Sequence, residues 1–364
     1  MSTRAIKYLS PFIIYIASFQ SFRSHGWTIW IPIIYAWIII PVAELFIRPD
    51  PKNLNTTEED LAKSDKTYDI FLYLVVVLQF AALYQFLKGM SVDTLAWYEV
   101  IGRVWVMGML CGTFGINVGH ELGHRKNKFE QFLAKILLLS SLYMHFFIEH
   151  NKGHHKRVAT PEDPSSARYG ESIYIFYLRT IVHSYFSSWD IAIKDTKKKG
   201  KAVFSLYNEM VQFQLVQIVF VALIFFIFGW LGTLYFLAAA LIGILLLETV
   251  NYIEHYGLQR KSLGEGKYER AMPIHSWNSD HVIGRLMLFE LSRHSDHHYL
   301  ASRKYQLLRH HDDSPQMPTG YPGMMILSLF PPAWFYVMNR RIKRLSAAPT
   351  NEEIERNQIN IQPV

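Results

Sequence analysis

The residues with most chemical content are histidines, and their spacing sorts them into four clusters. HELGH at 120–124 sets His120 and His124 one helical turn apart, so a helix carries both imidazoles on one face with Glu121 beside them. EHNKGHH (149–155) supplies His150, His154 and His155, NYIEHYG (251–257) supplies His255, and RHSDHH (293–298) supplies His294, His297 and His298. Taken alone, HELGH suits a zinc protease with Glu121 as base, or one corner of a larger metal site. Ligand number separates the two. A catalytic zinc takes three protein ligands and keeps one position open, whereas the nine imidazoles of these clusters suit two metals with four or five each. Imidazole alone does not choose between iron, zinc and copper.

Four acids stand next to these histidines. Glu121, Glu149, Glu254 and Asp296 are placed to accept the second ring N–H of a ligand and fix its tautomer, and each reads equally well as a solvated charge. The other histidines, His25, His145, His183, His275, His281, His310 and His311, read as surface, interfacial or neighbouring groups.

The elements that must position the clusters are membrane helices. Half of the 364 residues are hydrophobic and 15% aromatic, while only 18% are charged, against about 25% in a soluble domain. The sequence therefore predicts an all-α integral membrane protein. Crossing about 30 Å of hydrocarbon takes about 20 apolar residues, and six stretches qualify: 5–22, 27–47, 70–87, 96–118, 212–230 and 232–252. The first is interrupted by Lys7 and Pro11, and its charged start also resembles a signal peptide, although no small-residue cleavage site follows. GWLG at 229–232 predicts a tight hairpin between the last two spans. A seventh apolar stretch, 131–148, reads as an interfacial or re-entrant helix interrupted by Lys135 and His145, because a crossing there would carry His150 away from His124. Residues 1–345 form one membrane-embedded catalytic domain in this reading, with a second amphipathic piece at 322–338 and a flexible tail at 346–364.

Charge orients the spans. With Arg4 and Lys7 in the cytoplasm, alternation puts Arg48, Lys52, Lys63, Lys66, Arg125, Lys126 and the run KDTKKKGK (194–201) inside, and leaves Arg23 and Lys88 outside. All four histidine clusters then share the cytoplasmic face with both termini. The net charge of +7 reads as membrane orientation, with no nucleic-acid partner. The single cysteine, Cys111, excludes an internal disulfide, a four-cysteine zinc site, and any rubredoxin-type or iron–sulfur centre.

The motifs NVGHELGHRKNKFEQFLAKILL, HFFIEHNKGHHKRVATPEDPSSARYGESIY, NYIEHYGL, HSWNSDH, RHSDHH and PTGYPGM together resemble the integral-membrane non-haem diiron alkane 1-monooxygenases, over about residues 115–340. The three-box histidine pattern is shared with membrane fatty-acid desaturases and xylene monooxygenases, whereas NYIEHYG and the long EHNKGHHKRVATPEDP run are more specific. The resemblance implies that His120, His124, His150, His154, His155, His255, His294, His297 and His298 hold two irons at the cytoplasmic face of the bacterial inner membrane. It further implies that O2 and two electrons from rubredoxin and its reductase convert the terminal methyl group of medium- to long-chain n-alkanes to a 1-alkanol. Ser292 departs from the family, which has glutamine before Arg293, and puts only local packing in question.

A terminal C–H bond is unpolarised, so a metal-bound oxidant has to break it while the protein binds, orients and excludes water. The fourth and sixth spans, ending at His120 and His255, are expected to line the metal end of an apolar channel from the bilayer. The lysine run at 194–201 reads as a dock for an acidic electron carrier, or simply as a solvated cytoplasmic loop. Competing readings are a related membrane enzyme acting on alkylaromatics or acyl chains, an intramembrane zinc protease, and a metal transporter; the last would place its ligands nearer the bilayer midplane.

Overall fold

A computed structural model describes residues 4–91 and 94–347; the tail read at 346–364 lies, from 348 onward, outside the described residues. Among the described residues, four helices are long and apolar enough to cross a membrane: α2 (Gly26–Phe46), α4 (Thr67–Met90), α5 (Trp97–Gly123) and α9 (Glu209–His255), with the short polar helix α3 (Thr56–Ser64) between the first two. The chain is accordingly a helical membrane protein.

α9 accounts for two of the expected spans. Its 47 residues are broken at Gly229, whose φ of 70° and ψ of −173° only glycine adopts without strain. A straight helix would hold the Phe220 and Phe236 rings about 24 Å apart, yet their centroids are 5.6 Å apart. The two arms therefore run antiparallel, as GWLG suggested. The first expected span is irregular where Lys7 and Pro11 interrupt its sequence. A 3-10 turn, Ala5–Leu9, leads into α1 (Phe12–Ser21), whose ten residues rise only about 15 Å. Pro11 explains the break, since it brings no backbone N–H to the join. Tyr8 and Tyr15 turn inward while Ile13 and Ile16 face outward.

The seventh apolar stretch forms no helix long enough to cross. α6 (Lys128–Leu139) has twelve residues, about 18 Å of helix, and the chain then reverses through Leu142, at φ 52°. A helical segment, α7 (146–157), carries His150, His154 and His155 back toward α5. α8 (Ile173–Lys198) follows, with small residues Thr180, Ser184, Ser188, Ala192 and Thr196 buried along one side and Ile175, Leu178, Val182 and Phe186 exposed along the other.

Close helix contact brings the ends of α5 and α9 together. A Cβ built on Gly243 of α9 would lie 2.5 Å from Cys111 Cβ of α5, so only glycine permits this approach, as at small-residue contacts between membrane helices generally. Past α9, a small hairpin (Ser262–Gly264 with Lys267–Tyr268) precedes the short helices α10 (Val282–Met287) and α11 (His294–Tyr299). α12 (Tyr321–Ser328) and α13 (Pro331–Ala347) then close the fold, Trp334 of α13 packing on Tyr252 and Tyr256.

Candidate metal centre

All nine clustered histidines converge at one end of the helices, in two adjoining groups. His120, His124, His150, His155 and His297 form one, His154, His255, His294 and His298 the other, and within each group the ligand atoms lie within 4.8 Å of one another. The groups touch: the His155 and His298 rings are 4.5 Å apart.

Local helix geometry decides the partition. Residues 149–154 are π-helical, with i to i+5 hydrogen bonding in place of i to i+4. His150 and His155 therefore turn to the same group and His154 to the other, although His150 and His154 look like the pair in sequence. α11 is ordinary helix, so His294 and His298 share a group while His297 points to its neighbour. Arg293, buried at the start of α11, fixes that helix through Asp280 Oδ1 (3.1 Å) and the carbonyls of Leu308 (2.8 Å), Lys52 (2.9 Å) and Asp50 (3.2 Å). Ser292 fits its place, its hydroxyl donating to Ser279 O at 2.8 Å.

The ring nitrogens face one another. In the first group Nε2 of His297 lies 3.0 Å from that of His120 and 3.1 Å from that of His155, which lies 2.9 Å from His150 Nε2. In the second, the successive Nε2 distances are 3.3 Å (His154 to His298), 2.8 Å (His298 to His294) and 3.2 Å (His294 to His255). Imidazoles with one N–H each cannot satisfy such chains of Nε2-to-Nε2 contacts without strictly alternating tautomers. A metal with bonds of about 2.0–2.1 Å would itself set neighbouring nitrogens about 2.9–3.4 Å apart, so the residues fit a pair of metal ions. Burial, reinforced by repulsion between the facing rings, pushes His150, His155, His294, His297 and His298 well below the ordinary imidazole value. All five are neutral at neutral pH and have the lone pair a metal requires.

The four acids singled out in the sequence behave differently from expectation. Glu121 accepts from Arg125 Nη2 (2.7 Å) and Tyr305 N (3.1 Å), and Glu149 pairs with Arg157. Asp296, fully buried, takes Arg303 (2.7 Å), His311 Nε2 (2.7 Å) and Arg309 N (2.9 Å). Glu254 approaches the site, but on the metal side: its Oε2 is 3.2 Å from Nε2 of His294. The acceptor for a ligand's second nitrogen is instead Asp163, which sequence reasoning missed; its Oδ2 is 2.8 Å from His154 Nδ1. Burial works to raise the Asp163 carboxyl, but the His154 ring and the Ser166 hydroxyl outweigh it and hold the group below its ordinary value. The only signal was its place inside the EHNKGHHKRVATPEDP run. His275, His281, His310 and His311 stay outside both groups, on Glu269, Ser279, Asp280 and Asp296.

Three cavities with shared walls, the outer two mostly apolar, lead to the histidines. The innermost, about 10 Å³, touches His120, His150, His294, Asn251 and Glu254. It shares Asn117, Leu247, Val250 and Leu291 with a second of about 60 Å³. That one shares Trp37, Leu246 and Met325 with an outer cavity of about 470 Å³ walled by Trp30, Trp105, Ile326 and Leu329. α5 and α9 do line the metal end, joined there by α7 and the start of α11.

A sequence model of the fatty acid desaturase family matches residues 97–328. The chain is 39% identical over 341 residues to alkane 1-monooxygenase 1 of Alcanivorax borkumensis, covering 93% of this chain and 82% of that protein. It is 38% identical over 316 residues to alkane 1-monooxygenase 2 of Pseudomonas aeruginosa, covering 86% and 84%. A more distant similarity, 28% over 240 residues and 65% and 63% of the two chains, connects it to the xylene/toluene monooxygenase hydroxylase component of Pseudomonas putida.

Proposed function

Because the chain belongs to the alkane 1-monooxygenase family, we propose that it hydroxylates the terminal methyl group of medium- to long-chain n-alkanes, using O2 and two electrons. The observation that carries this reading is the apolar cavity series ending at two facing groups of imidazoles. A hydrophobic chain already concentrated in the bilayer can move along these mostly apolar walls, past Thr249, Thr113 and Asn117, until its end reaches the histidines.

In this proposal the five and the four histidines would hold two irons, which when bound would activate O2, the oxidant for the C–H bond. The protein's own residues bind, orient and exclude water. Leu247, Val250 and Leu291 hold the chain end along the apolar side of the innermost passage, opposite Asn251, Glu254 and the histidines. Asp163 fixes the His154 tautomer by accepting from Nδ1, which leaves Nε2 for the metal. Glu121 is turned toward Arg125 and Tyr305, so it is not placed as a protease base, and the HELGH pair shares its group with three further imidazoles.

The electron donor in this reading is a rubredoxin served by its reductase, since Cys111 alone cannot ligate an iron–sulfur centre. Lys152, three residues before His155, pairs with Asp195 at 2.6 Å. This contact sets the lysine-rich end of α8 beside α7 and supports it as the dock for an acidic carrier. The arms of α9, together with α2, α4, α5 and the whole first segment (residues 5–21, the 3-10 turn continued by α1), make six spans of the bacterial inner membrane, with the histidines and both termini cytoplasmic and the outer face of α8 in the interface. The test is product analysis by gas chromatography with purified enzyme, rubredoxin, reductase and a panel of octane, hexadecane, xylene and an acyl substrate. 1-Octanol or 1-hexadecanol is expected; oxidation of xylene alone would move the chain to the alkylaromatic branch that its more distant relative represents.

A further inference from the structure

Glu248 is a buried acid with no part in the chemistry above. It sits on α9, 1% exposed, about 10 Å along the helix before His255. An ionisable group at such a depth is costly to keep, and proton relays are among the tasks that retain one. Its carboxyl receives three donors: the Tyr143 hydroxyl on Oε1 at 2.7 Å, and the Thr180 hydroxyl (2.9 Å) and Asn251 amide (3.1 Å) on Oε2. The hydroxyl contacts continue outward. Thr180 Oγ1 lies 3.4 Å from Ser165 Oγ, which lies 3.5 Å from Ser184 Oγ, and all three residues are buried.

The direction of this chain is fixed at its inner end. Thr180 directs its single proton to Glu248 and so can only accept from Ser165. Outside, a polar crevice of about 130 Å³ is walled by Glu162, Pro164, Arg179, His183 and Ser187; Pro164 and His183 are the chain neighbours of Ser165 and Ser184. Inside, Asn251 joins His120, His150, His294 and Glu254 around the innermost cavity, whose 10 Å³ is about the space of one water.

We propose that Glu248 is a proton-relay residue, taking protons from the crevice through Ser184, Ser165 and Thr180 and passing them by a water beside Asn251 to the oxygen atom that is released as water. The inference rests on the monooxygenase reading, in which one alkane and one O2 consume two electrons and two protons to give one alkanol and one water. The electrons come from the external one-electron carrier. One oxygen atom enters the C–H bond and the other takes both protons, so a proton route to a largely dry site is a stoichiometric need.

Two variants separate relay from scaffold. Glu248→Gln keeps the size and an acceptor but cannot carry a proton; Thr180→Val cuts only the outer link and leaves the Tyr143 and Asn251 contacts. Redox-induced infrared difference spectra of the iron-loaded protein, without alkane or O2, should show a carboxyl band that shifts in D2O and is lost in Glu248→Gln. Both variants should keep wild-type iron content, slow alkanol formation by roughly tenfold to a hundredfold, and raise the solvent deuterium isotope effect. The double variant should be no slower than Glu248→Gln alone. A Glu248→Gln enzyme with the wild-type rate, isotope effect and infrared spectrum would overturn the relay. If that variant does not assemble, Thr180→Val decides: an unchanged isotope effect overturns the proposal. Wild-type protein that makes no alkanol would defeat the monooxygenase reading instead, and the infrared band would still report on the relay.

Discussion

Replacing Asp163 should weaken metal binding at one group of histidines and spare the other. Asp163 is 1% exposed and accepts from His154 Nδ1 (2.8 Å), Ser166 Oγ (2.6 Å) and Ser165 N (3.2 Å). Removing the acceptor behind a metal-ligating imidazole lowers affinity about 10- to 100-fold, which is about 1.4–2.7 kcal/mol. That agrees with about 1.5–3 kcal/mol for a hydrogen bond to a charged group. Asp163→Asn retains an oxygen acceptor without the charge and should fall at the weak end, about tenfold, with Asp163→Ala nearer a hundredfold. The assay is iron retained per chain after equilibration against a graded chelator series. One of two iron steps should move and the other stay, since His154 belongs to the group of four. Glu121→Gln is the control: its partners are Arg125 and Tyr305, so both steps should stay in place. Wild-type retention in Asp163→Ala, or an equal loss in Glu121→Gln, would refute the reasoning.

Val250 lies in the wall common to the inner two cavities; Val250→Phe should lower kcat/KM for octane by roughly 10- to 200-fold with full iron content, and unchanged kcat/KM would show that substrate takes another route. Reversing Lys197, Lys198 and Lys199 to glutamate should slow turnover with the protein donor about tenfold or more at low salt, spare iron content, and lose its effect as salt rises; a salt-independent or absent effect would remove the dock. Gly229→Val forces a β-branched residue into a glycine-only conformation at the α9 corner and should cost about 1–3 kcal/mol, read as a lower unfolding midpoint in detergent.

Much of this arrangement was legible in sequence because its signals are local. HELGH and RHSDHH are read by helical spacing, the long spans by apolar length, and the α9 corner by GWLG. The partition of the histidines was not legible, because it turns on a π-helical stretch at 149–154 that shifts His155 into register with His150. The acids misled for a related reason. Glu121 and Asp296 are next to ligands along the chain, but their side chains leave the backbone in other directions and meet arginines. Asp163 sits in a loop with no period to read, and the chain must return from that loop before it meets His154. The break in the first span was legible too, since Pro11, which brings no N–H, falls where the 3-10 turn gives way to α1.

The most direct test of the account is iron per chain in detergent-purified protein, measured by elemental analysis beside His255→Ala and His298→Ala. Two irons in the wild type and a clear loss, to about one, in both variants are expected, because both residues belong to the same group of four. A single zinc that survives both substitutions would contradict the dinuclear centre and return HELGH to a mononuclear site.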